Sequence, residues 1–128
     1  MEPDPSAVER AGRSRAVGAR GEDLAVEILK GRGYLVVKRG FRARRGELDL
    51  ICEIGGEMVV VEVKTRTSDR FGYPAEAVDQ RKSAAMWAAI SELRSLSGWK
   101  GAVRVAVLSI HLDRDGRVVG EDLVLDPD

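Results

Sequence analysis

ELDLICEIGGEMVVVEVK, residues 47–64, decides how this chain folds. Glu47–Ile54 reads as one strand and Glu57–Lys64 as a second, both rich in Val, Ile and Leu. Gly55 and Gly56 between them have the composition of a two-residue hairpin turn. Closing the hairpin there makes Ile54 face Glu57. Asp49 then faces Glu62, and Glu47 faces Lys64. Side chains alternate along a strand, so all four share one side of the sheet. A three-residue loop would instead part Asp49 from Glu62.

Two facing acids are costly. Their Cβ atoms stand roughly 4.5–5.5 Å apart, and at an effective dielectric near 20 the repulsion is about 3 kcal/mol. Ile51 and Val60, on the same face, limit screening by water. A divalent cation would relieve the pair. Mg²⁺ is typically held by one or two carboxylates plus phosphate oxygens and waters. Lys64 adds a positive charge beside it, a set suited to phosphodiester hydrolysis. The plain alternatives are a cross-strand Glu47–Lys64 ion pair, Asp49 as a turn residue and Glu62 on an exposed edge.

Outward from the hairpin, the pattern predicts a helix over Val17–Arg32, with Val17, Leu24, Ala25, Ile28 and Leu29 on one face and Gly31 and Gly33 at its end. Tyr34–Lys38 reads as a strand and Arg39–Arg45 as a loop. Thr65–Tyr73 reads as a polar loop. A second helix runs from Pro74 to about Ser95 with a Val78, Ala85, Ala89, Leu93 stripe. Ala102–Leu112 and Val118–Leu125 are further strands, joined by a turn at Asp115-Gly116.

The hairpin is apolar on both faces: Leu48, Leu50, Cys52, Val59, Val61 and Val63 on one, Ile51, Met58 and Val60 on the other. Such a sheet needs cover on both sides. The expectation is a three-layer α/β/α domain with a mixed central sheet and the order α-β-β-β-α-β-β. Residues 1–14, with two prolines and mixed charge, read as a disordered tail, and 15–128 as a single domain.

The 128 residues carry 21 basic and 21 acidic side chains, which excludes a uniformly basic nucleic-acid coat. No apolar run approaches the roughly 18 residues of a membrane span, and MEPDPSAVERAGRSR lacks an apolar signal core, so a cytoplasmic protein is expected. Cys52 is the single cysteine, excluding an internal disulfide or a cysteine–zinc cluster, and reads as a core residue. His111 is the single histidine and reads as structural.

Lys38–Arg45 holds five basic residues in eight and no acid. With Lys64, Arg66 and Arg70 it should flank the acidic pair, where a phosphate backbone would be held. Arg39, Arg42, Arg44, Arg45 and Arg66 are the candidate contacts; Phe41 can stack on a base or be buried. Gln80 and Lys82 can reach phosphate or simply decorate a helix. Trp87 and Trp99 read as packing residues. The acids Asp113, Asp115, Glu121, Asp122, Asp126 and Asp128 should lie away from any phosphate.

GARGEDLAVEIL, RGELDLI, VVVEVKTR and FGYPAEAVDQRK, in this order, resemble the YraN-type proteins. These are similar in turn to archaeal Holliday junction resolvases, in the PD-(D/E)XK restriction-endonuclease-like superfamily. The resemblance spans Val17 to Leu108. It implies the superfamily's mixed sheet flanked by helices, so that residues 15–128 form an endonuclease-like domain. It implies Asp49 and Glu62 as ligands of Mg²⁺ or Mn²⁺, with the Val63 carbonyl as a third. Lys64 becomes the catalytic lysine, and Glu22, by itself an ordinary helical acid, joins the metal. Glu47 matches the Gly-Glu-Ile/Leu-Asp-Leu motif. Where such proteins commonly read Arg-Phe-Asp-Val, this chain has Arg104-Val105-Ala106-Val107, without the acid. The implied activity is metal-dependent endonucleolytic cleavage of DNA, of branched or other non-canonical form. A nucleic-acid-binding module with the same fold and no hydrolysis is the alternative, and a scaffold protein the third reading. Resolvases act as dimers, so the resemblance allows a homodimer, whose interface no sequence feature locates.

Overall fold

The computed structural model describes residues 20–67 and 80–127. The expected tail 1–14, the residues after Thr67, Arg70, the Pro74 helix start and Val78 lie outside them. The elements are α1 (20–31), β1 (Leu35–Arg42), β2 (Glu47–Ile54), β3 (Glu57–Thr67), α2 (Gln80–Ser97), β4 (Val103–Leu112) and β5 (Val118–Leu125). Their order is the expected α-β-β-β-α-β-β. The sheet runs β1-β2-β3-β4-β5. Only β3 and β4, the pair separated by α2, are parallel, so the sheet is mixed.

The hairpin closes where the sequence places it. Gly55 and Gly56 have φ of 56° and 78°, the positive values that mirror-image hairpin turns require and glycine adopts without strain. Pairing follows: Ile54 with Glu57, Glu53 with Met58, Cys52 with Val59, Ile51 with Val60, Leu50 with Val61.

Alternation along β3 divides the core. Val59 and Val61 pack with Leu50, Cys52, Ala106, Leu108 and Ile110 against Ala25, Val26 and Leu29 of α1. Met58 and Val60 pack with Phe41, Leu48, Ile51 and Val105 against Met86, Ala89, Ile90 and Leu93 of α2. The two helices therefore bury opposite faces, and each enclosed Leu, Ile or Val contributes about 1.5–3 kcal/mol. Cys52 is fully buried, as expected, and burial pushes its thiol up to about 11.

Several boundaries differ from expectation. β1 does not stop at Lys38: it runs to Arg42, pairing Arg39 with Leu50, Phe41 with Leu48 and Arg42 with Glu47. A run of cations is tolerated there because β1 is an edge strand whose Lys38, Arg39 and Arg42 stay exposed. Phe41 is buried against Leu48 and so packs rather than stacks. β3 continues past Lys64 to Thr67 because Thr65, Arg66 and Thr67 pair with Ile110, His111 and Leu112. Gly31 lies within α1; Gly33, with φ of 90°, ends it. α2 ends at Ser97, where the Gly98 N–H donates to the Arg94 carbonyl at 2.9 Å. Trp99 packs beside the α2 core, but Trp87 is half exposed and is not the packing residue expected.

Candidate active site

Asp49 sits at a fork in the sheet. From the turn, β2 and β3 pair as far as Leu50 and Val61. Beyond, the Val63 N–H donates not to a backbone carbonyl but to Asp49 Oδ2, at 2.9 Å. An acid whose carboxylate bonds the neighbouring strand's backbone lies between the strands. The ladder keeps the expected register to one step short of Asp49 and Glu62, and there the Asp49 carboxylate replaces a backbone acceptor. Alternation breaks at the same point. Leu48 joins the α2-side cluster, although two residues from Leu50 it belongs on the α1 side by strand geometry. Gly40, between the paired Arg39 and Phe41 in β1, has φ of 70°, so the neighbouring strand bends at this level too.

Glu62 is 5% exposed, the one buried charged side chain among the described residues, and its Oε2 is sealed from solvent. A carboxylate in that position is expensive without positive charge or hydrogen bonds. Lys64 lies two residues along β3, on the same face, half buried. At the fork opens a cleft of about 460 Å³. Glu47, Asp49, Glu62, Val63 and Lys64 line it from the sheet, and Ala85 and Met86 from α2.

Two glycines bring the helices close at this end. A Cβ on Gly46 would stand 2.7 Å from the Ala85 carbonyl oxygen, and one on Gly21 would collide with the Thr65 hydroxyl. Gly21 thus docks α1 beside β3 just past Lys64, and Gly46 lets the loop into β2 touch the α2 backbone. Glu22 follows Gly21. Burial raises its pKa first, Asp49 next, with Glu47 and Asp23 adding and Arg39 opposing. Glu22 is therefore within electrostatic reach of Asp49 and Glu47, from a helix that the cleft lining does not include.

The basic residues do not act as one patch. Arg39 bonds Asp23 of α1 at 2.7 Å. Arg42 is paired with Glu47, beside the cleft. Arg44 and Arg45 line a separate groove of about 430 Å³ with Ala88, Ser91, Glu92 and Ser95, and the Arg44 backbone N–H donates to Glu92 at 2.9 Å. Arg66 lies beyond Lys64, opposite His111. Gln80 and Lys82 fall in the first described turn of α2; their side chains lie outside the description. Ala106 is fully enclosed in the α1-side core, so its departure from the motif leaves the cleft's acids unaltered. Of the C-terminal acids, Asp126 lines a small cavity that also touches Glu62.

Sequence reasoning missed Gly21, Gly46 and Met86, and took Ala85 only as part of a core stripe. Both glycines stand inside motifs quoted for their acids, GARGEDL and RGELDL, and a glycine next to such an acid is itself the signal of a close approach. Among the described residues, no three His, Cys, Asp or Glu side chains form an ion cage by themselves. That is compatible with Mg²⁺, which commonly completes its octahedron with waters and phosphate.

The model of the uncharacterised protein family UPF0102 matches residues 21–110. The chain belongs to this family. This is the YraN-type likeness carried by RGELDLI and VVVEVKTR. A UPF0102 protein of Syntrophomonas wolfei is 45% identical over 105 residues, covering 81% of this chain and 90% of the relative. One of Clavibacter michiganensis is 40% identical over 113 residues, covering 82% and 90%. One of Mycolicibacterium vanbaalenii is 44% identical over 108 residues, covering 79% and 85%. The UPF0102 match begins at Gly21, the residue that docks α1 at the cleft, and includes Glu22, Glu47, Asp49, Glu62 and Lys64.

Proposed function

We propose that this UPF0102 member is a metal-dependent endonuclease that hydrolyses phosphodiester bonds in DNA of branched or non-canonical form. The observation that carries the reading is the cleft at the sheet fork, where a buried glutamate, a second carboxylate and a lysine converge. On this reading the mixed five-stranded sheet and its two helices are a restriction-endonuclease-like α/β/α fold of the resolvase type. Asp49 and Glu62 would hold Mg²⁺ or Mn²⁺, with Glu22 and the Val63 carbonyl assisting. The donor set is hard oxygen throughout, which suits either ion. Bound there, the ion supplies an activated water and neutralises charge on the phosphate.

The chain's own groups do the rest. The Lys64 ammonium stabilises charge on the phosphoryl oxygens as water adds to phosphorus and one P–O ester bond breaks. Asp49, tied to Val63, holds its carboxylate in place. Arg42, opposite Glu47 in the strand register, would add positive charge near the cleft. Arg44, Arg45 and Arg66, with Lys82 and Gln80 on α2, would bind the phosphates on either side, while Arg39 braces Glu22 through Asp23. Symmetric substrates would be met by a homodimer.

The non-catalytic binding module is the competing reading. Cleavage of labelled duplex, single-stranded, flap and four-way-junction DNA separates the readings, run with Mg²⁺, Mn²⁺ or EDTA. The nuclease cuts with metal, and Glu62→Ala and Lys64→Ala abolish cutting by a hundredfold or more (about 3 kcal/mol of barrier) while DNA binding persists. Folded wild-type protein that binds DNA but cuts none of these substrates would leave the binding module standing.

A further inference from the structure

Trp87 is 50% exposed on α2, one residue after the buried Met86. It borders a second depression, of about 100 Å³, lined also by Glu62, Met86, Val107, Asp126 and Pro127. Glu62 and Met86 belong to the acid cleft as well, so the two recesses are neighbours across those side chains. The far wall is held firmly. Asp126 has a positive φ of 49°, its N–H donates to the Val105 carbonyl at 2.6 Å, and its carboxylate accepts from Arg104 Nε at 2.9 Å. The Val105 N–H completes the clasp at 3.3 Å.

We propose that this depression seats a single unstacked nucleobase of the substrate strand whose phosphate lies at Glu62 and Lys64. The inference rests on the nuclease reading and specifies its substrate. Three features select a base over other occupants. The space suits one ring and is too small for a helix or strand. Its wall offers an aromatic face and flat aliphatic surface, the surroundings on which bases stack. It shares the Glu62 and Met86 side chains with the cleft as a common wall, so a base next to the reacting phosphate has only that wall to pass over. A base inside a regular duplex would have to unstack first, at a cost that is least for single-stranded, mismatched or junction nucleotides. The pocket therefore favours DNA in which bases are already exposed.

The test is the affinity of wild type, Trp87→Ala and Trp87→Phe for fluorescently labelled oligothymidine and for a blunt duplex, by anisotropy in EDTA. Trp87→Ala should bind the single strand about 5- to 150-fold more weakly, the equivalent of roughly 1–3 kcal/mol per stacked base. Duplex affinity should change by less than about twofold, and Trp87→Phe should recover most of the loss. Because Trp87 is half exposed, circular dichroism of the variants should match wild type. Equal losses on both substrates, or none on either, would overturn the base pocket alone. Wild type that cuts none of the four DNA forms with Mg²⁺ or Mn²⁺ would overturn the nuclease reading, and the pocket with it. A wild-type dimer that Trp87→Ala dissociates in sedimentation would assign the tryptophan to a second copy of the chain and overturn the proposal.

Discussion

Asp49 combines two duties in one side chain. Its Oδ2 satisfies the Val63 N–H that the sheet ladder leaves behind, and its charge faces the cleft acids. The two duties come apart in mutants. Asp49→Asn keeps an amide oxygen that can accept from Val63, so its stability should stay within about 1 kcal/mol of wild type while cleavage is lost. Asp49→Ala leaves a half-buried donor unmet and should cost about 1–3 kcal/mol in addition. Urea denaturation of the two variants, beside the cleavage assay, checks both parts. Equal stability of Asn and Ala variants would show that the Val63 bond contributes nothing. Glu62 differs in kind: it is the buried member, and nothing in its spacing within EMVVVEVK distinguishes it from an exposed strand acid except the valines on either side.

At the level of elements, the cleft depends on how closely α1 and α2 approach the sheet. Gly46 meets the Ala85 carbonyl, which is backbone and cannot rotate away, whereas Gly21 meets the Thr65 side chain, its hydroxyl nearest. Gly46→Ala should therefore destabilise the fold by about 1–3 kcal/mol, as overpacking does, and depress cleavage by moving Ala85 and Met86. Thermal melting and the activity assay would reveal it; an unchanged melt would mean that the loop has room to shift. The hairpin was legible beforehand because Gly55-Gly56 fixes the turn and alternation fixes the register as far as Leu50. The course of β1 was not, since Lys38, Arg39, Gly40 and Arg42 carry the composition of a loop, and only Phe41, paired with Leu48, shows that the strand continues. The fork was hidden for another reason. A side chain that substitutes for a backbone carbonyl leaves no periodic mark, apart from Leu48 turning to the other face. Glu22 was found through resemblance alone; its link to Asp49 emerges only when α1 docks.

Across the whole molecule, acids drawn together from α1 and β2 affect the stability of the fold. The Glu22 pKa is raised by burial and then by Asp49, so the folded state binds that proton more tightly than the unfolded chain does. Its contribution is therefore neutral below the ordinary glutamate range and becomes a destabilisation as pH rises, complete above the shifted value. Glu22→Gln should melt above wild type at neutral pH, with the gap closing in acid. On the nuclease reading, Mg²⁺ should raise the wild-type melting temperature and raise that of Glu22→Gln less. Melting curves across pH, with and without Mg²⁺, test both signs; a Gln variant less stable than wild type at neutral pH would contradict them. Among the described residues no helix is long and apolar enough to cross a membrane. The fork at Asp49 also bears on descent. A lineage that gave up chemistry could exchange Lys64 at small cost to folding, but position 49 would still owe Val63 an acceptor. Such retired copies should drift at 64 and hold to aspartate, asparagine or a similar oxygen donor at 49, so retention of that residue alone would be no sign of a working enzyme.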